Sequence, residues 1–246
     1  MTRTLLILTV LAVLAGCASP VSTTARPDDY YTSVDAGPAG GSLFAGDART
    51  LSDDSIQRIL SYRYEPPALS RIALMPFGRE VWSRWSEELA VAAANMETEV
   101  LEGLRASPRV YDASYLPSIL VPKKHSVPYL REAAARYQAD LLLVYRSYCR
   151  SFDRYRLFRA DESRAYCGVA AVLLDTRTGL VPFTTVATRA YTISRDKDDN
   201  NFSETRMRAQ LDATAQALGD VSDEIVSFLG VADSPTVGQL RPAIQI

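Results

Sequence analysis

Histidine is nearly absent: His125 is the single one in 246 residues. That removes most routes to catalysis, because imidazole is the usual general base and a common metal ligand. Cysteine is scarce too, with only Cys17, Cys149 and Cys167. An excess of one charge is also missing: 27 basic residues stand against 29 acidic, for a net charge of −2. A general nucleic-acid binder needs a dominant basic surface to neutralise phosphates, so that class is excluded. No glycine-rich phosphate loop, Ser–His–Asp pattern or paired metal motif occurs. The sequence therefore names no catalytic residue, no metal ligand and no cofactor. His125 lies beside Lys123 and Lys124 in a proline-flanked loop and reads as surface.

What is present begins with an address. Arg3 supplies a positive start, and Leu5 to Ala15 form an apolar run of roughly eleven residues, too short to span a bilayer. Leu14-Ala15-Gly16-Cys17 follows. It resembles the bacterial lipobox, in which the cysteine thiol is acylated and cleavage before it leaves that cysteine as the mature N-terminus. The alternative is a plain secretory signal with an incidental cysteine. The agreement of leader length, small residues and cysteine predicts a lipoprotein with residues 1–16 as signal peptide and Cys17 as lipidation site. Ala18 is not the aspartate that commonly retains lipoproteins in the inner membrane. By resemblance to that sorting pattern, the expected address is the outer membrane, periplasmic face.

Residues 17–51 are rich in Ser, Thr, Gly, Pro and Asp without apolar period, and read as a flexible tether. Such a segment has a root-mean-square reach of about 30 Å. A globular domain is expected over 52–230, and residues 231–246 form a tail without a membrane-spanning run, leaving the lipid as the anchor. A hydrophobic content of 47% suffices for one full core. "LSDDSIQRILSYRY" predicts a short helix capped by Ser52, with Ile56, Ile59 and Leu60 on one face. "RIALMPF" predicts a buried strand, and Ser83 or Ser86 can cap a helix reaching Ala106. Leu89, Ala93, Met96, Val100 and Leu104 form that helix's buried stripe. "RVYDASYL" reads as a strand, and "HSVPYLREAAARYQ" as a helix with Ser126 as cap and Pro128 in its first turn. Three strands follow in 139–149, 165–175 and 180–193, the first central because its apolar run is nearly continuous. Thr176 to Gly179 make the tight turn between the last two. A helix over about 203–229 ends the domain, with Ser222 as a soft spot in its buried stripe. The expected fold is α/β (α+β), in the order β-α-β-α-β-β-β-α. It comprises a mixed sheet of about five strands, two crossover helices and a long C-terminal helix.

"RIALMPF", the strand "ADLLLV" after the second helix and the hairpin "LLDTRTGLV" together resemble the α/β domain of certain envelope lipoproteins. These are the curli-secretion lipoprotein, the lipoprotein activators of penicillin-binding proteins and the N-terminal domain of TolB. The pattern is similar still more to the rhombotarget lipoproteins, in which a lipobox and tether precede "SYL-P", a "DLLLVY" strand and a final helix. The resemblance covers roughly residues 52–229 and implies fold and address. It carries over no catalytic residue.

Two features of the domain bear on chemistry. Cys149 and Cys167 are equidistant from Phe158, so an antiparallel hairpin centred there sets them opposite each other, within disulfide range. In an oxidising envelope a bridge is favoured over two buried thiols. The same hairpin carries Arg146, Arg150, Arg154, Arg156, Arg159 and Arg164, interleaved with Tyr145, Tyr148, Phe152, Tyr155, Phe158 and Tyr166. Arginine and tyrosine are frequent interface anchors, which makes this stretch a candidate surface for a protein partner or an anionic envelope polymer. The plainer reading is a solvated hairpin whose arginine stems cover neighbouring rings. Asp196, Asp198 and Asn200 match the first ligands of a calcium loop, but Asn201 and Met207 replace its glycine and terminal glutamate. A loop capping the last helix is the better reading there.

The function expected from these observations is that of a non-enzymatic binding or adaptor module, anchored by lipid and working through an envelope protein partner. An oligomeric secretion or assembly component is the alternative by resemblance, and a hydrolase with an unrecognised carboxylate site a more distant one. Oligomeric state is not fixed by the sequence.

Overall fold

The structure is a computed structural model, and it describes residues 43, 51–78, 86–154, 160–196 and 201–231. All of them belong to the compact unit Pro38–Ile246. The elements are α1 (Asp53–Ser61), β1 (Ser70–Pro76), α2 (Glu87–Arg105), β2 (Val110–Tyr115), a 3₁₀ turn (Ser118–Leu120) and α3 (Val127–Arg136). Then come β3 (Leu141–Arg154), β4 (Glu162–Asp175), β5 (Phe183–Ser194) and α4 (Phe202–Val231). The strands form one mixed sheet in the order β2-β1-β3-β4-β5. β1 runs parallel to both β2 and β3, whereas β3, β4 and β5 are antiparallel neighbours. The mixed sheet, the two crossovers and the long last helix agree with the sequence reading.

The crossover helices lie on opposite faces. Leu89, Ala93, Met96, Val100 and Leu104 of α2 join Ile72, Leu74, Leu141, Leu143 and Leu173 in one core, which α4 completes with Leu211, Leu218, Val221, Ile225 and Leu229. Leu130, Ala133 and Ala134 of α3 join Ala73, Met75, Leu142, Val144 and Leu174 in a second core on the other face. β1 and the first five residues of β3 are thus buried from both sides, and only a near-continuous apolar sequence fits there. A fully buried leucine contributes roughly 1.5–3 kcal/mol, so these two layers dominate the stability of the domain.

Helix ends follow local chemistry. Ser86 accepts from Leu89 N at 3.3 Å, with Glu87 and Glu88 in the first turn of α2 and Arg105 in its last. Ser126 stands at the N-cap of α3 without a side-chain hydrogen bond, so Pro128 rather than a hydroxyl fixes that entry. Asn201 Oδ1 accepts from Glu204 N at 3.1 Å and opens α4, as the capping-loop reading required. α1 forms behind its Ser52 cap, but Ile56, Ile59 and Leu60 are exposed and the helix buries no residue. The turn after β4 is held by Asp175 Oδ1, which accepts from Thr178 N at 2.6 Å and from Thr178 Oγ1 at 2.7 Å. Gly179 takes a φ of +77°, which favours glycine. Ser222 is buried where α4 crosses α2: a Cβ placed on Gly103 would sit 2.6 Å from its Oγ. The soft spot of the stripe is a close helix crossing that a larger side chain would hold apart.

Candidate partner-binding face

The three antiparallel strands are longer than their apolar runs. β3 and β4 pair without a break from Leu141↔Asp175 to Arg154↔Glu162, and β5 follows β4 from Leu173↔Phe183 to Glu162↔Ser194. Side chains alternate between faces along each strand. On the α4 side, Cys149, Cys167, Tyr191 and Ile193 pack against Ala209 and Ala213. The opposite side is covered by α3 only where the second core extends. Beyond it, Arg146, Tyr148, Arg150, Phe152 and Arg154 of β3 stand in one row on the side that no described helix covers. Ala170, Gly168, Tyr166, Arg164 and Glu162 of β4 are their register partners. Thr184, Val186, Thr188, Ala190, Thr192 and Ser194 of β5 complete the face.

This face is aromatic, basic and accessible. Val186 is 63% exposed, Phe152 53% and Tyr166 39%. Phe152 and Tyr166 meet edge to face with centroids 5.7 Å apart, and the Arg164 guanidinium lies 4.8 Å over the Tyr166 ring. At the covered end, Arg146 lies 4.6 Å over the ring of Phe77, a member of the second core that also meets the exposed His125 ring edge to face. Tyr148 lies across Gly168: a Cβ there would come within 2.3 Å of its Cζ. The glycine lets the ring lie flat on the sheet and fill the space that a side chain would have taken. Among the described residues of these strands, the face carries four arginines and one carboxylate, Glu162, directly across from Arg154. Asp153 points to the opposite side, where it accepts from Ser163 Oγ at 2.9 Å and from Arg206 Nε at 3.1 Å.

Of the sequence-derived surface residues, Arg146, Arg150 and Arg154 come together here. Tyr155, Arg156, Phe158 and Arg159 lie outside the described residues, as do Cys17, Asp198 and Asn200. The sequence reading placed the surface on the hairpin from Tyr145 to Tyr166. Arg164, Tyr148, Phe152 and Tyr166, also part of that stretch in the sequence, stand on the same face. The threonine row of β5 was missed, because it follows only once β5 is known to pair with β4.

Cys149 and Cys167 are register partners with Cα atoms 4.2 Å apart, and the structure joins them. Cys167 is fully buried, and the pair lies beneath α4, with Cys149 Sγ 3.5 Å from Thr214 Oγ1. A bonded sulfur has no proton, so the 3.3 Å approach of Cys167 Sγ to Gln210 O is a packing contact and not a donated bond. Burial raises the carboxyl pKa of Glu97 and of Asp212, the latter partly offset by Arg208. Neither shift is caused by a second carboxylate, which is what an acid pair requires. Among the described residues no three His, Cys, Asp or Glu side chains cluster to hold a metal. No helix among them is long and apolar enough to cross a membrane.

No family model and no curated protein matches the chain. Solved bacterial structures with some likeness include a Caulobacter crescentus protein classed provisionally as a lipoprotein, at 11% identity and TM-score 0.37, covering 67% of this chain and 93% of that one. The PelC dodecamer from Paraburkholderia phytofirmans has 16% identity and TM-score 0.33, covering 65% of this chain and 94% of that one. A minor lipoprotein from Acinetobacter baumannii has 10% identity and TM-score 0.32, covering 65% and 90%. At these TM-scores the likenesses carry no argument about partners, assembly or activity.

Proposed function

We propose that this protein is a lipid-anchored, non-enzymatic adaptor of the bacterial cell envelope whose open β3–β5 face binds an acidic surface of a protein partner. The observation that carries the reading is that face itself: Arg146, Arg150, Arg154 and Arg164 beside Phe152 and Tyr166, left uncovered by any described helix. Large aromatic area with arginine forks suits carboxylates presented on a folded surface, and a neutral threonine row adds hydrogen-bonding capacity without competing charge. The address rests on the leader and on Cys17. Two acyl signals hold a protein far more firmly than one, and the tether lets the domain search near the membrane. In that oxidising compartment the Cys149–Cys167 bridge persists and stiffens the hairpin that displays the face.

The test is crosslinking in intact cells followed by isolation of the full chain. Arg150→Glu combined with Arg164→Glu weakens capture of a specific partner by about tenfold or more, because like charges then face each other across the interface. Capture that is unchanged by both reversals removes the face from the function. Cys17→Ser abolishes incorporation of labelled fatty acid, and retention of the label in that variant overturns the anchor.

A further inference from the structure

The two edges of the sheet are built in opposite ways. β2 is short, its pairing with β1 is broken by a register shift at Ser70/Arg71, and Asp112 stands on it in ion pairs with Arg71 (2.9 Å) and Arg105 (3.6 Å). Shortness, irregularity and charge are the devices by which proteins keep an edge from pairing with another chain. β5 is neither short nor irregular. It runs twelve residues in unbroken register with β4, contains no proline, and carries one charge, Arg189, which is turned to Asp220 of α4 at 2.5 Å.

The orientation of its backbone follows from the cysteines. A Cα separation of 4.2 Å marks Cys149 and Cys167 as a non-hydrogen-bonded pair of the antiparallel ladder. Cys167 therefore turns its backbone groups toward β5 and pairs with Arg189, and the even-numbered residues of β5 turn theirs away from the sheet. Thr184, Val186, Thr188, Ala190 and Thr192 thus present N–H and C=O groups along an edge that no other described strand meets.

We infer that this edge pairs with the β5 of a second copy of the chain, antiparallel about a two-fold axis at Thr188, joining two five-stranded sheets into one. The occupant is chosen by the strand's own sequence. With the axis at Thr188, the outward-facing residues pair as Thr188 with Thr188, Val186 with Ala190 and Thr184 with Thr192. The alternate residues pair as Phe183 with Ile193, Thr185 with Tyr191 and Ala187 with Arg189. Threonine pairs and an aromatic–β-branched pair are favourable cross-strand neighbours, and no like charges meet. Moving the axis by one residue to Arg189 sets the two arginines directly opposite, and moving it to Ala187 or Ala190 shortens the paired length. The carboxylates of α4 nearest this edge are already engaged: Asp220 by Arg189, and Glu224 by the hydroxyl of Thr185. The dimer merges two open faces into one surface, so it extends the adaptor reading without depending on it.

Sedimentation of the full-length protein in density-matched detergent, together with cysteine crosslinking, tests the pairing. The wild-type chain is expected to sediment as a dimer. Thr188→Pro is expected to be monomeric with unchanged circular dichroism, since the lost N–H points outward and the ladder to β4 is kept. Thr188→Cys, lying on the axis, is expected to form a disulfide-linked dimer on mild oxidation, while Thr184→Cys, opposite Thr192, is not. A wild-type chain that stays monomeric at the highest soluble concentration overturns the inference. So does a dimer that survives Thr188→Pro, or equal crosslinking of the two cysteine variants. Loss of partner capture in the arginine reversals with the dimer intact would separate the two readings.

Discussion

Gln138 has a φ of +59° just beyond the last turn of α3, in a motif closed by Ala139 N donating to Ala134 O at 2.9 Å and Gln138 N to Ala135 O at 3.0 Å. The position is one that glycine usually fills, because a Cβ in the left-handed region costs about 1–2 kcal/mol. Gln138→Gly is therefore expected to stabilise the domain by about 1 kcal/mol, read as a melting temperature higher by roughly 2–4 °C. No such choice is open at Gly168, whose missing Cβ makes room for the Tyr148 ring. Tyr64 shows a third residue-scale constraint. Its hydroxyl is buried beside Asp175, and burial first, then that carboxylate, push its pKa well above the ordinary phenol value. With its ring stacked 6.5 Å from that of Phe228, it pins the chain ahead of β1 to the base of α4. None of the three was legible in the sequence, because each depends on which backbone lies opposite.

Elements were more legible than residues. The stripe of α2 and the apolar run of β3 appear in the structure as read, since helix period and continuous burial leave direct marks on composition. The antiparallel strands run past their apolar stretches, β3 to Arg154 and β4 from Glu162, because pairing with a neighbour rather than burial holds those ends. The opposition of Cys149 and Cys167 was legible from symmetry about Phe158 alone, and the register reproduces it. What symmetry could not show is that α4 lies over the pair. From that cover we expect reductant to reach the bridge only when α4 lifts. Free-thiol labelling should be slow in native buffer and fast in denaturant. The Cys149→Ala, Cys167→Ala double variant should lose about 3 kcal/mol of stability, the loop-closure value for a bridge of this span. Rapid reduction of the native protein would show that α4 does not guard it.

At the scale of the whole molecule, the described helices divide a single sheet into a half clad on both faces and a half clad on one. The sequence carried this division as a change within β3, from "LLLVY" to "RSYCRSFDR", which read as strand followed by basic hairpin. In the structure it separates what stabilises the domain from what it displays. The open face lies at the β5 end of the sheet's order, so any partner taken up by it meets a surface continuous with β5.

β3 spans both halves in one unbroken ladder, and that continuity has a consequence for how amide protons leave the chain. Exchange with solvent requires the ladder to open, and opening costs most where apolar layers press on both sides. Amides of residues 141–145 and their partners in β4 should exchange only with global unfolding, whereas those near Phe152 and Arg164 should exchange by fraying from the hairpin tip. The molecule thus carries its own graded reporter. Binding at the open face should slow exchange in the distal half and leave the clad half unchanged, and a ligand that slows both equally is acting somewhere else.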